Sequence, residues 1–320
     1  MIRIKIFLAL MLTSSLLSFA TEPVLYSKAF GKKTDPAVIY FHGGPGYNCA
    51  NFEFSTAEEL SKKGLYVIVF DQRGCGRSKN YFTNGPYTFS AQIEDVLSLY
   101  KKYNLTKATL MGHSWGGSLA TKFAEANPDK VERMILISSP MSYQMTFRGI
   151  LHRCREKFEF KHDSINLKRV AFVEKMDTTS IAYSGSCFMF AIANGFYTSS
   201  SKTEFSEKFN KEMEESEDKY LLSQMEREPV QGVYDAEKYI TLHFYNSWSN
   251  LKKTFPIYAI YGSQDGLFDK KQLDEIEIAV GAGHFHIVTG ASHNVFIDQH
   301  ADFMDILSKI FFPPPPKKHK

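Results

Sequence analysis

Five consecutive residues in the first half of the chain have the types and spacing of a nucleophilic serine site. Residues 112–116, GHSWG, follow an apolar run and fit the pattern G-x-S-x-G. In that pattern the serine, here Ser114, sits on a sharp turn from strand to helix, and the flanking glycines let the backbone fold closely around it. A glycine-containing loop without chemistry is the alternative interpretation of so short a motif.

Two residues in the second half of the chain, an aspartate and a histidine, could activate Ser114. A serine hydroxyl is a poor nucleophile unless a base lies within hydrogen-bond reach and a third group orients that base. Asp265 follows the apolar run of residues 256–261, and His293 follows the run of residues 285–288, which gives the chain order Ser, Asp, His. We therefore predict Ser114 as the nucleophile, His293 as the general base and Asp265 as the residue that orients His293.

Nearby residues of similar type are weaker candidates for these roles. Asp269 lies where a helix would begin and is typical of a helix N-cap. His284 and His286 lie at the start of the last strand, away from the active edge of a parallel sheet, and no acidic pattern accompanies them, so no metal site is predicted. His113, beside the nucleophile on a tight turn, is interpreted as a packing or hydrogen-bonding residue.

A second glycine cluster could supply backbone amides to the same site. HGGPG, residues 42–46, follows another apolar run. An oxyanion hole needs two backbone N–H groups aimed at one point. We predict the amide of Trp115 as one donor and that of Gly44 as the other, with Gly43 behind it against the substrate. Pro45 has no N–H to donate, and a tight turn is the alternative for this motif taken alone.

Short apolar runs alternate with helical patterns along most of the chain. Strands alternating with helices favour an α/β fold with a mostly parallel central sheet and helices on both faces. Residues 141–250 contain no comparable strand, so we predict a helical cap inserted between two parts of one core, residues 21–140 and 251–312. Strands are predicted at residues 37–41, 66–70, 108–111, 134–137, 256–261 and 285–288, and helices at residues 57–63, 90–103, 117–126 and 294–311.

The two ends of the chain differ in composition from the rest. Residues 1–20 combine a basic start, an apolar stretch and the small residues Ser18 and Ala20. This predicts a signal peptide cleaved after Ala20 and an exported protein, periplasmic or secreted, without a stable membrane anchor. Residues 313–320, PPPPKKHK, are expected to form an extended tail.

Charge and cysteine content exclude several classes of partner. A net charge of +3 without a basic stripe argues against nucleic-acid binding. The four cysteines are widely spaced, which favours neither a zinc site nor a disulfide-rich scaffold, although Cys154 and Cys187 could pair.

Several motifs resemble those of α/β-hydrolases of the prolyl aminopeptidase (proline iminopeptidase) type. They are HGGPG at 42–46, DQRGCGRS at 71–78, GHSWGGS at 112–118, the aspartate after YGSQ and the histidine in GASHNVF. The resemblance covers about residues 24–140 and 254–311. It implies an α/β-hydrolase fold with a helical cap and a serine peptidase that removes an N-terminal residue, usually proline.

The chain departs from that family at positions that bear on specificity. His113 stands where these peptidases usually have glycine. Cap glutamates of the family hold the free amino group of the substrate, but Ala193 occupies the expected acidic position in AIANGFY. The other glutamates available in the cap are Glu204, Glu214, Glu215 and Glu226. A solvated helix face is the commoner explanation for each, and we take Glu204 as the candidate for binding the amine.

These observations predict a serine hydrolase that needs no cofactor and releases N-terminal residues, proline preferred, from short peptides through an acyl-enzyme. A carboxylesterase or lipase-like hydrolase of neutral acyl substrates would use the same triad and is the alternative. A non-catalytic binding protein on the same scaffold is a third interpretation.

Arg73 is expected to brace the loops through a hydrogen bond with Asp71, without a part in the chemistry. Aromatic residues of the cap could line an apolar pocket or form the core of the cap: Tyr143, Phe147, Phe188, Phe190, Phe196 and Tyr197.

Overall fold

Seven strands form one sheet at the centre of the computed structural model, which describes residues 24–81 and 85–313. The strand order is β1-β3-β2-β4-β5-β6-β7, and every neighbouring pair is parallel except β1 with β3. The predicted α/β fold with a mostly parallel sheet is therefore confirmed. The strands are β1 (Ser27–Phe30), β2 (Ala37–Phe41), β3 (Tyr66–Phe70), β4 (Ala108–His113), β5 (Val131–Ile137), β6 (Ile257–Gly262) and β7 (Phe285–Val288).

The central strands are buried on both faces, as continuous apolar runs in a parallel sheet require. All residues of β3 and β4 are buried. Successive side chains of one strand enter two separate apolar clusters, since Ile39 packs on one side of the sheet and Tyr40 on the other. The sequence pattern missed β1, because this antiparallel edge strand is short, mostly half-buried and carries no apolar run.

Helices cover both faces of the sheet and fill the segment between β5 and β6. Residues of α3, α4 and α12 contribute to one apolar cluster, and residues of α2 and α14 to the other. The described α-helices are α1 (Ala50–Phe52), α2 (Glu58–Lys62), α3 (Phe89–Tyr103), α4 (Trp115–Ala126), α5 (Tyr143–Phe160), α6 (Ser164–Val173), α7 (Ile181–Ala193), α8 (Glu204–Glu215), α9 (Lys219–Ser223), α10 (Arg227–Glu237), α11 (Tyr245–Leu251), α12 (Lys270–Val280), α13 (Val295–Asp298) and α14 (His300–Phe311).

All four predicted helices differ from the observed ones at a boundary. Helix α4 begins at Trp115, two residues before the predicted start. The helix expected at residues 57–63 begins at Ala50 and runs through a π-helical turn, Glu53–Ala57, before α2. The N-cap of α3 is Thr88, whose hydroxyl accepts from the backbone of Ala91, and Ser90 lies inside the helix. The last predicted helix is two helices, α13 and α14, because the backbone at Gln299 leaves the helical conformation.

The segment between β5 and β6 is helical throughout, from α5 to α11. Its aromatic residues mostly pack on one another. The ring of Phe147 is fully buried and lies 5.7 Å from that of Tyr183 and 5.4 Å from that of Phe188. Most of these rings therefore pack inside the helical segment, whereas the ring of Tyr197 contacts that of His293.

The cysteines and the chain ends give two further results. All four cysteines are free and buried, so Cys154 and Cys187 form no disulfide. None of the described helices combines the length and the apolar character that crossing a bilayer requires. The predicted signal peptide and residues 314–320 of the predicted tail lie outside the described residues.

Candidate active site

Ser114 occupies a sharp turn between the end of β4 and the start of α4. Its backbone has φ 51° and ψ −124°, a conformation that side-chain-bearing residues rarely adopt. The turn is closed by the Ser114 amide, which donates to the carbonyl of Ile137 at 2.9 Å. A Cβ atom on Gly116 would lie 2.0 Å from the carbonyl oxygen of Phe41, so a glycine is required there. This geometry is that of the predicted strand-to-helix elbow.

Asp265 and His293 lie on the loops that follow β6 and β7. His293 Nδ1 is 2.9 Å from Asp265 Oδ2, and both side chains are buried. The other carboxylate oxygen of Asp265 accepts from the backbone N–H of Leu267 at 3.1 Å. Because the carboxylate accepts the Nδ1 proton, Nε2 is left as the basic nitrogen of a neutral His293.

Ser114 and the His293–Asp265 pair share the carboxyl edge of the sheet. Gly43 and His113 lie between them. Gly43 is packed against both neighbours, since a Cβ atom added to it would lie 3.3 Å from Ser114 Cβ and 3.2 Å from His113 Nδ1. The ring of His113 lies 4.9 Å from that of His293. Among the hydrogen bonds of the described residues, none joins the Ser114 hydroxyl to His293. Such bonds are often long in ligand-free enzymes and tighten when substrate binds.

His113 holds the backbone of the His293 loop. Its Nε2 lies 3.0 Å from the carbonyl oxygen of His293, and since a carbonyl only accepts, Nε2 carries the proton. Burial lowers the pKa of His113 well below its ordinary value, and the nearby His293 lowers it further. A neutral His113 therefore donates to the backbone carbonyl of His293, the residue predicted as the base. The sequence predicted a packing or hydrogen-bonding role for His113 but not this partner.

Gln72 fastens the HGGPG loop to the elbow. Its backbone N–H donates to His42 Nε2 at 2.9 Å, and its side-chain amide donates to the carbonyl of His42 at 2.8 Å. Its side-chain oxygen accepts from Trp115 Nε1 at 2.9 Å. Burial lowers the pKa of His42 to about 4, so this ring is neutral and can accept. The sequence pattern indicates no role for Gln72, since its partners His42 and Trp115 lie in the loop after β2 and at the start of α4.

The predicted oxyanion residues lie on the two segments that Gln72 joins. Gly44 has φ 138°, and a Cβ atom there would lie 2.6 Å from the backbone nitrogen of Gly46, so the position favours glycine. Trp115 opens α4 directly after Ser114 and is buried. The backbone therefore brings Gly43, Gly44 and Trp115 to one end of β2 and β4, beside Ser114.

The predicted bond between Asp71 and Arg73 is wrong. Arg73 turns toward α3 and forms a buried bidentate pair with Asp95, with bonds of 2.6 and 2.7 Å. Asp71 instead accepts from Arg77 and from the backbone N–H of Cys49. Burial raises the pKa of Asp71, but the hydrogen bond and charge of Arg77 outweigh it and hold that pKa below its ordinary value. The chain bends after Arg73, at a glycine with positive φ, so alternate residues of the loop face different elements.

One segment of the helical insertion, residues 196–203, is fastened to the Asp265 and His293 loops. The carbonyl of Phe196 accepts from the backbone N–H of Gly266 at 2.9 Å, and that of Tyr197 accepts from the hydroxyl of Ser292 at 2.8 Å. The Tyr197 ring lies edge-to-face with the His293 ring, with centroids 5.0 Å apart. This segment therefore covers His293 from the side of the insertion.

A second segment, residues 221–226, lies on the HGGPG loop. The side-chain amide of Asn48 donates to the carbonyl of Leu221 at 2.7 Å, and the backbone N–H of Glu226 donates to the carbonyl of Gly46 at 2.8 Å. Glu204 is exposed at the start of α8, and no described contact joins it to the site, so its predicted role stays a prediction. Ala193 is exposed as well.

Comparisons with known proteins agree with this architecture. Residues 36–160 match a family model described as the alpha/beta hydrolase fold. A proline iminopeptidase of Lactobacillus helveticus is 33% identical over 132 residues, which cover 40% of this chain and 44% of that protein. The chain thus spans less than half the length of the curated relative it matches.

Two solved structures share the fold over most of the chain. One comes from work on carboxylesterases of Nitrososphaera gargenis, with a TM-score of 0.58 and 21% identity, and covers 90% of this chain and 93% of that one. The other is a proline iminopeptidase-related protein of Thermus thermophilus, with a TM-score of 0.59 and 18% identity, covering 89% and 92%. At these identities the likeness shows the fold alone. The chain has the α/β-hydrolase fold, and 40% of it is similar in sequence to a proline iminopeptidase.

Proposed function

We propose that this chain, an α/β-hydrolase fold with sequence similarity to proline iminopeptidases, is a serine hydrolase. The observation that carries the proposal is the pairing of a serine on a strained strand-to-helix turn with a buried histidine–aspartate pair at the same sheet edge. A non-glycine residue held in so rarely populated a backbone conformation costs about 1–3 kcal/mol, and such residues cluster at active sites.

The proposed reaction begins with attack of the Ser114 hydroxyl on a carbonyl carbon. His293 Nε2 takes the hydroxyl proton as the Ser114 Oγ–C bond forms, and Asp265 stabilises the resulting imidazolium through the Nδ1 hydrogen bond. His293 then gives that proton to the leaving group as the acyl-enzyme forms. Water attacks the acyl-enzyme with His293 again acting as base, which releases the acid and restores Ser114.

The backbone amides of Gly44 and Trp115 are the proposed oxyanion donors. Both belong to segments that the Gln72 bonds hold in place, so the donors are fixed before substrate arrives. Preorganised donors of this kind stabilise the charge that develops on the carbonyl oxygen, and removing one typically costs about 10²–10³-fold in kcat. Gly43 lies against Ser114 and is the proposed backbone contact for the substrate.

We propose short peptides with a free N-terminus, proline included, as substrates. Sequence similarity to proline iminopeptidases supports this, and the amine needs a carboxylate at the insertion. Glu204 was the candidate from sequence, whereas Glu226 is bonded through its backbone to the HGGPG loop. The Glu226 carboxylate is 3.1 Å from Lys79 Nζ and mostly buried, so it already accepts a cation near this loop. Hydrolysis of neutral esters is the second candidate, favoured by the missing acid at Ala193.

A substrate panel separates the two candidates. Aminoacyl amides with free and N-acetylated termini, proline included, are compared with short acyl esters. Loss of a paired ammonium predicts that acetylation lowers kcat/KM by about two orders of magnitude. Equal rates on free and acetylated substrates would leave the esterase candidate. Glu226→Gln and Glu204→Gln form a matched pair that shows which carboxylate binds the amine.

The nucleophile is tested separately with Ser114→Ala. We expect this variant to lose fluorophosphonate labelling and at least about 10⁴-fold in rate. Ser118→Ala, one turn into α4, is the control and should keep both. Labelling of Ser114→Ala at another serine would overturn the assignment.

Export through the N-terminal segment is also proposed, and fractionation of cells that express the full chain tests it.

A further inference from the structure

The outer layer of the helical insertion carries a concentration of exposed apolar side chains. Twelve large apolar side chains are exposed in the described part of the chain, and five of them lie on α5, α6 and α7. The exposed fraction is 86% for Phe160, 70% for Phe172 and 64% for Ile165. These three helices pack on one another, and their buried residues join the apolar cluster on one face of the sheet, yet these side chains remain in solvent.

Helix α6 arranges apolar and basic residues on a single face. Ile165 and Phe172 are two helical turns apart and therefore project from the same side. Lys168 and Arg169, three and four residues after Ile165, lie between them and are exposed. Phe160, at the end of α5, precedes the start of α6 by one short turn. We call Phe160, Ile165, Lys168, Arg169 and Phe172 the basic apolar face.

The acidic residues near the basic apolar face lie beside helix α6 and not on it, and the charge of Arg169 acts on one of them, Asp163. Helix α6 itself contains no acidic residue. Asp163, just before it, is the N-cap and accepts from the backbone N–H of Asn166 at 3.0 Å. Glu174, just after it, pairs with Arg155. Exposed Glu159 is followed at once by Phe160 and Lys161, and Lys175 adds a further exposed cation at the other end.

We propose that the basic apolar face binds the surface of an anionic lipid bilayer. The rings of Phe160 and Phe172 and the side chain of Ile165 would enter the boundary between headgroups and acyl chains. Lys168 and Arg169 are long enough to reach the lipid phosphates from the same depth. A bilayer accepts this interleaving, whereas a protein groove would have to bury both cations between apolar residues and supply matched carboxylates.

Vesicle binding tests the proposal with the purified protein. The probes are vesicles of phosphatidylcholine containing about one third phosphatidylglycerol, and vesicles of phosphatidylcholine alone, in a co-sedimentation assay. We expect binding to the anionic vesicles, weakening as salt is raised because headgroup attraction is screened. Ser114→Ala should bind equally well, so this result is independent of the proposed reaction.

Two double variants and two matched controls locate the binding surface. Phe160→Ser with Phe172→Ser, and Lys168→Glu with Arg169→Glu, should each lower vesicle affinity at least about tenfold, since each basic residue near such a surface is worth several-fold. Ile278→Ser on α12, where the side chain is 63% exposed, and Lys208→Glu with Lys211→Glu on α8 should not. Thermal melts confirm that all variants fold.

Three outcomes would overturn the proposal. They are no binding to anionic vesicles, equal binding to neutral ones, or equal loss in the control variants. If vesicles do not bind and the chain forms dimers that Phe160→Ser with Phe172→Ser dissociates, the face is an interface between two copies of this chain instead.

Discussion

The sheet edge around Ser114 and the outer layer of the helical insertion solve opposite problems. At the sheet edge, several polar side chains are buried and hydrogen-bonded to one another: His42 and Trp115 to Gln72, and His293 to Asp265. On the outer layer, large apolar side chains such as Phe160 stand in solvent. The first region gives up adaptability for fixed geometry, and the second keeps apolar surface available.

This contrast teaches where substitutions should be felt. A buried polar group that loses its partner retains the full cost of its removal from water, so the sheet edge is sensitive to single changes. An exposed side chain makes few contacts, so the outer layer tolerates change in stability while its binding properties alter. Four experiments test this difference, from the largest expected effect to the smallest.

The largest effect is expected from the buried pair of Arg73 and Asp95. Arg73→Met leaves a buried carboxylate without its cation and should lower the free energy of unfolding by about 3–5 kcal/mol, measured by urea denaturation. Arg73→Met with Asp95→Leu should recover most of that loss. The control, Lys270→Met, breaks an exposed pair with Asp274 and should cost less than about 0.5 kcal/mol. Equal costs for both single variants would remove the contrast.

Acid should destabilise the sheet edge through its buried histidines. Burial lowers the pKa of His42 to about 4, below the ordinary value near 6.5. Between pH 4 and 6.5, His42 is therefore protonated in the unfolded chain and neutral in the folded chain. The stabilisation is present above pH 6.5 and is lost as the pH falls toward 4, by about 3 kcal/mol in all. Denaturation of the wild type at pH 7 and pH 4.5 measures the slope.

The same measurement on two variants assigns the slope. His42→Gln should flatten it, while His152→Gln, which changes a mostly exposed histidine, should not. An unchanged slope in His42→Gln would place the acid sensitivity elsewhere.

A smaller effect is expected from the contact between His113 and the His293 loop. His113→Gly removes the donor to the His293 carbonyl and should lower kcat about tenfold with little change in KM, because the proposed base is then less often in position to react. His113→Gln keeps an N–H donor and should recover part of the rate. A fall in melting temperature without any fall in kcat would show that this contact serves stability alone.

The smallest effect is expected on the outer layer. Phe172→Ala removes a ring that is 70% exposed and should change the free energy of unfolding by less than about 0.5 kcal/mol. Chemical denaturation measures it beside Phe147→Ala, whose ring is fully buried and whose loss should cost about 3–5 kcal/mol. A large cost at Phe172 would mean that the ring is packed and unavailable for binding.

The parts that could be predicted from sequence are those that a local pattern encodes. The strands β2, β3 and β7 were predicted at their observed bounds, since each is a short apolar run between polar or glycine-rich neighbours. The order of Ser114, Asp265 and His293 along the chain also placed them at strand ends that one sheet edge brings together.

The parts that could not be predicted depend on distant partners. Arg73 pairs with Asp95 because of where α3 begins. Asp71 pairs with Arg77 and not with Arg73 because the chain bends between the two arginines. The bond from His113 to the His293 carbonyl joins residues 180 positions apart. No local pattern around Glu226 indicates that its backbone meets Gly46.

The backbone of Ser114 has a consequence for how this position can evolve. A serine held at φ 51° carries strain that glycine would relieve, so the easiest stabilising change at the elbow also deletes the proposed nucleophile. Selection for abundance alone would therefore push Ser114 toward glycine, and only selection for turnover opposes it. In any lineage that stopped using the reaction, this codon would be among the first to drift.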